Sequence, residues 1–316
     1  MQTENNITIG IIGSGMIGSS LAALFSGNGY QVKVFVRSQK SSDKLWKAIN
    51  AIYEEIEKRG LITKDQSKAC RRNIYAVSHY QDMCDVGVVF ETVSEVVEVK
   101  AEVYKNIETY CNECRALIST SSAMSPDDLV QHVKRYKNKF MVAHPFNPPH
   151  LVPFVEMVPS QYTSSESEKF AYDLLEKVGR KVCVMKKSAP GFIANRLQHA
   201  LLREAFYMIE QGLCSPEDID KALMYSFMPR YTSVGLFEHQ DAAGLDLVRN
   251  IEQYLFPSLC NSVKVSSVLN TACQEGKLGQ KSGQGVYKWD KESISDFKKR
   301  AAEPYWRFFN WKCSSN

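Results

Sequence analysis

The apolar positions of this chain change period partway along it. Up to about Met185, short β-branched runs alternate with stretches that carry apolar residues at helical spacing. The strand candidates are Ile7 to Ile12, Val32 to Val36, Val86 to Phe90, Ala116 to Ser119, Phe140 to Ala143, Phe154 to Val158 and Val182 to Met185. That alternation predicts a doubly wound α/β domain. From Ser188 onward no strand pattern returns, apart from a short Gly285-Val286-Tyr287 element. Ile193, Leu197, Leu201, Ala205, Met208 and Ile209 instead fall on one helical face, with Gly212 as a stop. Ser215-Pro216-Glu217-Asp218 reads as the cap of the next helix, with proline at its first position. The expected organisation is a Rossmann-type dinucleotide-binding domain over residues 1–187 and an all-helical C-terminal domain over 188–316. Residues 43–72 interrupt the first domain with two charged helical segments broken near Gly60.

The first strand candidate runs straight into Gly13-Ser14-Gly15-Met16-Ile17-Gly18, and Leu21, Leu24 and Phe25 follow at helical spacing. A glycine motif between a strand and a helix is the context that gives this signature its meaning. Gly13 makes the tight turn, Gly15 lets the backbone approach a pyrophosphate, and Gly18 lets the helix pack on the strand. Met16 and Ile17 complete the loop at the helix N-terminus, where free amides meet phosphate. The second strand ends in Val36-Arg37-Ser38, with Lys40 close behind, where NAD-binding folds usually place an acid for the ribose 2′-hydroxyl. A cation and a hydroxyl suit a 2′-phosphate, so an NAD(P) cofactor with a lean to NADP(H) is expected. The competing reading stacks Arg37 on adenine and accepts either nucleotide.

Candidate chemistry lies in His144-Pro145-Phe146-Asn147-Pro148-Pro149-His150, followed by Leu151 to Glu156. Strand alternation puts Val152, Phe154 and Glu156 on one face. An acid on an apolar face needs a partner, and His144 is the natural one. The pair would fix the tautomer of the imidazole, as a general acid/base requires, although such pairs are also common as plain structural contacts. His150 is the rival base; it stands at the exit of the turn and reads as an exposed or supporting residue. Leu117 to Ser122 is a strand ending in hydroxyls, a pattern shared by binding sites and helix caps. Asn195 falls in the first turns of the helix opened by Pro190-Gly191-Phe192-Ile193.

Taken in order, GSGMIG, FETVSEVVEVK, STSS, HPFNPP…VE, PGFIANR, GLFEHQDAAGLD and GKLGQKSGQGVYKW resemble the 3-hydroxyacyl-CoA dehydrogenase family over nearly the whole chain. The resemblance implies His144 and Glu156 as the catalytic pair, with Ser121 and Asn195 as active-site partners. It also places Glu91 and Lys100 near the nicotinamide end of the cofactor. It implies reversible NAD(P)-dependent oxidation of a 3-hydroxyacyl-CoA in the crevice between the domains, and a homodimer formed through the C-terminal domain. HPFNPP departs from the HFFNP form common in fatty-acid oxidation and occurs in relatives acting on free 3-hydroxy acids such as gulonate or carnitine. A free acid is therefore the alternative substrate class. A non-catalytic, crystallin-like nucleotide binder is a further alternative, against which the joint presence of the four site residues argues. In the family, the insertion helps to hold CoA. Here it carries Lys44, Lys47, Lys58, Arg59, Lys64, Lys68, Arg71 and Arg72, which serve equally well as a solvated face.

Composition narrows the picture a little further. With 316 residues, 44% hydrophobic, 23% charged and a net charge of +4, the chain suits a two-domain soluble enzyme acting on a small molecule, with no nucleic-acid partner. No apolar run reaches membrane-spanning length. The short polar leader lacks a targeting pattern, so a cytoplasmic location is expected. Nine scattered cysteines suggest reduced thiols, and Cys111-Asn112-Glu113-Cys114 reads as structural. No histidine spacing suggests a metal. The aromatic run Tyr305 to Trp311 lies beyond the resemblance; core cover is the default reading, with a dimer interface or cleft closure as alternatives.

Overall fold

The computed structural model describes residues 7–314. The chain divides into two compact units; one runs up to Ile193 and resumes at Ala302, and the other is Ala194–Ala301. The first unit contains, in order, β1 (Thr8–Ile12), α1 (Met16–Gly27), β2 (Val32–Phe35), α2 (Gln39–Lys58), α3 (Lys64–Arg72), β3 (Ile74–Val77), β4 (Val86–Glu91), α4 (Val97–Tyr110), β5 (Ala116–Ser119), α5 (Pro126–Leu129), β6 (Phe140–Pro145), β7 (Phe154–Pro159), α6 (Ser165–Lys177) and β8 (Lys181–Val184). The second contains α7 (Ala194–Glu210), α8 (Pro216–Tyr225), α9 (Leu236–Ala243), α10 (Leu245–Leu255), α11 (Ser267–Gln274) and α12 (Lys291–Ala302), whose last residue re-enters the first unit. No described helix is long and apolar enough to cross a membrane.

The strands form one eight-stranded sheet in the order β3-β2-β1-β4-β5-β6-β7-β8. Every neighbouring pair is parallel except β6 and β7. The order reverses direction at β1, so the crevice for a ligand lies beyond the carboxyl ends of β1 and β4. Burial on both faces explains the near-continuous apolar composition of β1, β4 and β5. The charged insertion is a helical pair, α2 and α3, with Gly60 at φ +69° in the break. Its apolar stripe, Leu45, Ile49, Tyr53 and Ile56, faces the core. In the second unit the Gly285-Val286-Tyr287 region forms isolated bridges rather than a strand. The helix expected from Phe192 begins at Ala194, because Gly191 (φ +78°) and Phe192 (φ +48°) are left-handed.

The aromatic tail resolves to core cover, and it shifts the expected division of the chain. A second domain over 188–316 was expected, but residues from Ala302 onward belong to the first unit. Trp311 is fully buried there and meets Tyr53 edge-on at 5.5 Å between ring centroids. Arg59 lies over the Trp306 ring at 4.3 Å and bonds Glu303 at 3.0 Å. The Cys313 thiol stands beside the Cys70 thiol of α3 and holds it below its ordinary range. Gly27 makes the docking possible, since a Cβ there would stand 2.1 Å from the Trp311 ring. Gly27→Ala is expected to lower stability by about 1–3 kcal/mol through overpacking. In limited proteolysis, cleavage should appear first in the tail.

Candidate active site

The glycine loop lies at the carboxyl end of β1. A Cβ on Gly18 would come within 2.0 Å of the Gly13 carbonyl oxygen, so α1 could not otherwise pack against the turn. Gly15 differs: nothing lies within 4 Å of a Cβ built there. It is the N-cap of α1 and makes no side-chain cap bond, which leaves the first amides of a 12-residue helix open. The open space in front of uncapped amides fits a dinucleotide pyrophosphate. Met16 is 63% exposed beside it and Ile17 is half-buried. Beyond β2, Arg37 is exposed and forms no ion pair among the described residues. Ser38 caps α2 by accepting from the Ser41 amide at 3.2 Å, a local use that its sequence position did not suggest.

The ends of β4 and β5 hold a buried charged cluster. Glu91 is fully buried as the last residue of β4. It accepts from Lys100 Nζ at 2.8 and 2.9 Å, Tyr104 Oη at 3.0 Å and Ser119 Oγ at 2.7 Å. Lys100 is only 1% exposed, so the two residues expected near the cofactor meet each other in the interior. Glu95, which the sequence did not single out, carries the cluster to the surface. Its Oε2 lies 3.5 Å from Lys100 Nζ and accepts from Ser121 Oγ at 3.0 Å, while its Oε1 accepts from the Ser122 amide at 2.9 Å. Ser121 Oγ in turn accepts from the Met124 amide at 2.9 Å. Its proton is committed to Glu95, so donation to any ligand requires that bond to open.

The histidine and its acid face each other across the antiparallel β6–β7 pair, where His144 and Glu156 are register partners. His144 Nδ1 lies 2.8 Å from Glu156 Oε2. Glu156 is fully buried, and its other oxygen accepts from the Ile193 amide at 2.7 Å. The left-handed Phe192 sets up that amide, a conformation an L-residue holds only when its surroundings demand it. Both carboxylate oxygens are thus fixed, and so is the ring, which leans on Phe146 and Phe192 at 5.5 and 5.8 Å between centroids. With Nδ1 on the carboxylate, Nε2 is the nitrogen left to exchange a proton. Asn195 stands at the start of α7, in the second unit.

Of the two readings its place in the turn suggested, an exposed or a supporting residue, His150 takes the supporting one. Its Nδ1 lies 2.7 Å from Ser20 Oγ of α1, and its amide donates to the same oxygen at 2.8 Å. Burial, followed by the nearby Arg180 guanidinium, pushes the imidazole down from 6.5 to about 4. A neutral ring at neutral pH with a committed Nδ1 is a poor rival base. The unfolded ring takes a proton near 6.5 and the folded ring only near 4. This contribution to stability is therefore complete above pH 6.5 and falls as the pH drops towards 4, by on the order of 2–3 kcal/mol. Urea unfolding at pH 7 and pH 4.5 should show the loss, and His150→Asn should flatten it.

Cys111 and Cys114 are buried in the core, which raises both thiols to about 12. That agrees with a structural CxxC.

Two family profiles match the chain. They are 3-hydroxyacyl-CoA dehydrogenase, NAD binding domain, over residues 8–188, and 3-hydroxyacyl-CoA dehydrogenase, C-terminal domain, over residues 191–289. The chain is similar to 5-formyl-3-hydroxy-2-methylpyridine 4-carboxylate 5-dehydrogenase of Mesorhizobium japonicum, with 27% identity over 88% of this chain and 89% of that protein. It is similar to the lambda-crystallin homolog of Mus musculus, with 31% identity over 74% of this chain and 75% of that one. A crystal structure of a 5-formyl-3-hydroxy-2-methylpyridine 4-carboxylic acid 5-dehydrogenase, described as an NAD+-dependent dismutase, superposes with a TM-score of 0.85. That match has 26% identity and covers 94% of this chain and 96% of the other. A glycine-loop dinucleotide unit, a helical unit after it and profile matches across both place the chain in the 3-hydroxyacyl-CoA dehydrogenase family.

Proposed function

We propose that the protein catalyses reversible NAD(P)-dependent oxidation of a 3-hydroxyacyl-CoA to its 3-oxoacyl-CoA. The observation that carries this reading is the His144–Glu156 pair, with Nδ1 held at 2.8 Å and Nε2 making no hydrogen bond among the described residues. When bound, the nicotinamide dinucleotide supplies the hydride acceptor or donor. The chain supplies the proton chemistry. In oxidation, His144 Nε2 takes the hydroxyl proton, and Glu156 holds the ring and stabilises the imidazolium. In reduction, the same nitrogen returns the proton. Ser121 and Asn195 are the proposed donors to the substrate oxygen, Asn195 from its place in the PGFIANR motif; Ser121 must first release Glu95. Gly13 to Gly18 would receive the pyrophosphate. Arg37, exposed and without an acid beside it, favours a 2′-phosphate and hence NADP(H). The same reading makes the protein a homodimer through its helical unit, where Phe237 and Tyr254 are 82% and 87% exposed.

A specific observation favours a second substrate class, the free hydroxy acid. Part of the basic insertion is engaged within the chain: Arg59 with Glu303, and Arg71 with Glu57 at 3.6 Å. That leaves fewer cations for CoA phosphates. The relative from Mesorhizobium japonicum is also named for a free carboxylate. Purified protein with NADH and NADPH, each tested against acetoacetyl-CoA and a panel of free 3-oxo acids, separates the readings. Turnover of acetoacetyl-CoA supports the thioester, turnover of the acids alone replaces it with the second class, and turnover of neither overturns both.

A further inference from the structure

His144 and the glycine loop stand on parts of the sheet that are not neighbours. β6 carries the histidine, β1 leads into α1, and β4 and β5 lie between them. Proton transfer at the hydroxyl oxygen and hydride transfer at the carbon that bears it need both parts registered closely, since a misplacement of about 1 Å can cost about 100-fold in rate. A direct link between them exists in the turn that joins His144 to Glu156. His150 on this turn reaches across 130 positions of sequence to Ser20, two residues beyond Gly18 on α1.

The link is built as a clasp. Ser20 is 1% exposed, and its oxygen takes both the amide and Nδ1 of His150, at 2.8 and 2.7 Å. The serine oxygen accepts from the amide, and either neutral tautomer of the ring completes the second contact, with the hydroxyl donating to Nδ1 or Nδ1–H donating to the hydroxyl. Behind the turn, Arg180 is 2% exposed, and its Nη1 donates to the carbonyls of Pro149 at 2.8 Å and Val152 at 3.2 Å. The turn is therefore pinned on one side to α1 and on the other to the start of β8. The depressed pKa of the imidazole is consistent with a ring that stays neutral and keeps this geometry across the neutral range.

We infer that Ser20 and His150 are positioning residues that couple the dinucleotide-binding helix to the turn that follows the catalytic histidine. The inference rests on the function proposed above. Occupation of the loop steadies the N-terminal turns of α1; the clasp passes that constraint to residues 146–152, and His144 is held in register with the cofactor.

The test uses the full chain and amide hydrogen exchange read by mass spectrometry, with saturating NADH and, separately, NADPH. In the wild type, dinucleotide should slow exchange in the glycine-loop peptide and also in the peptide covering 146–152. In Ser20→Ala and His150→Leu, protection of the glycine loop should remain while protection of the turn is lost. Turnover should fall about 10- to 100-fold, with KM for the dinucleotide within about twofold. His150→Asn, which returns a polar atom near the Nδ1 position, should restore most of both effects.

Unchanged transfer of protection in the two variants would overturn the inference. So would a loss of dinucleotide affinity and melting temperature with kcat unchanged, because the pair would then be a stability contact. Should Ser20→Ala fail to fold, the His150 pair of variants decides. If neither dinucleotide protects the glycine loop in the wild type, the functional reading fails and the coupling with it; protection of the loop without turnover of any tested substrate removes only the substrate assignment.

Discussion

His144→Gln should reduce turnover by about 100- to 10,000-fold, the range spanned by loss of a positioned general acid/base. The dinucleotide affinity should stay within about twofold of the parent, because the glycine loop and Arg37 stand on β1, α1 and the end of β2, elements separate from β6. Glutamine retains an amide that can still bond a substrate oxygen but cannot exchange a proton at neutral pH. The loss should therefore fall mainly on kcat. Stopped-flow measurement of NADH or NADPH oxidation, beside fluorescence titration of each nucleotide, separates the two quantities. A variant that turns over at the parental rate would remove the assignment of His144 as acid/base, whatever its nucleotide affinity.

Lys100→Met is expected to have the largest effect on stability. Lys100 and Glu91 are 1% and 0% exposed, and the ammonium lies between the two carboxylate oxygens at 2.8 and 2.9 Å. Removing the cation leaves a buried carboxylate with Tyr104, Ser119 and the Val93 amide as its remaining partners. Breaking such a pair from one side costs about 3–5 kcal/mol, so the thermal midpoint should drop by about 10 °C. Adding Glu91→Gln should recover part of the loss, since the stranded charge disappears with it. Differential scanning calorimetry of the two single variants and the double variant measures the coupling. If Lys100→Met melted with the parent but bound dinucleotide weakly, the lysine would be a ligand-contacting group, as its place in the family motif suggests.

The parts of this protein that could be read from its sequence are those whose cause is local. The His144–Glu156 pairing is of this kind: one turn between two strands sets the register, and strand alternation sets the face. The glycine loop, the Ser215 cap and the helical insertion are likewise set by neighbours in sequence. β3 escaped notice because Ile74-Tyr75-Ala76-Val77, though apolar, is only four residues long and buries only its first residue fully, with Tyr75 48% exposed; it is a strand because β2 offers it an edge. Glu95 sits in a loop with no period to mark it, and its role depends on Ser121 arriving from β5. His150 could not be placed from its surroundings in the chain, because Ser20 lies 130 residues away. Arg37 and Ser38 looked equivalent in sequence, yet a helix starting at Gln39 takes the serine as its cap.

The return of the tail to the first unit bears on how the protein is made. Trp311 fills a slot on α1 beside Gly27, so a nascent chain emerging from the ribosome has every strand of the sheet outside long before that slot can be filled. The nucleotide-binding half must wait, with part of its interior open to water, through synthesis of the whole helical unit. Its last step of consolidation comes only when the segment bearing Trp311 has cleared the exit tunnel.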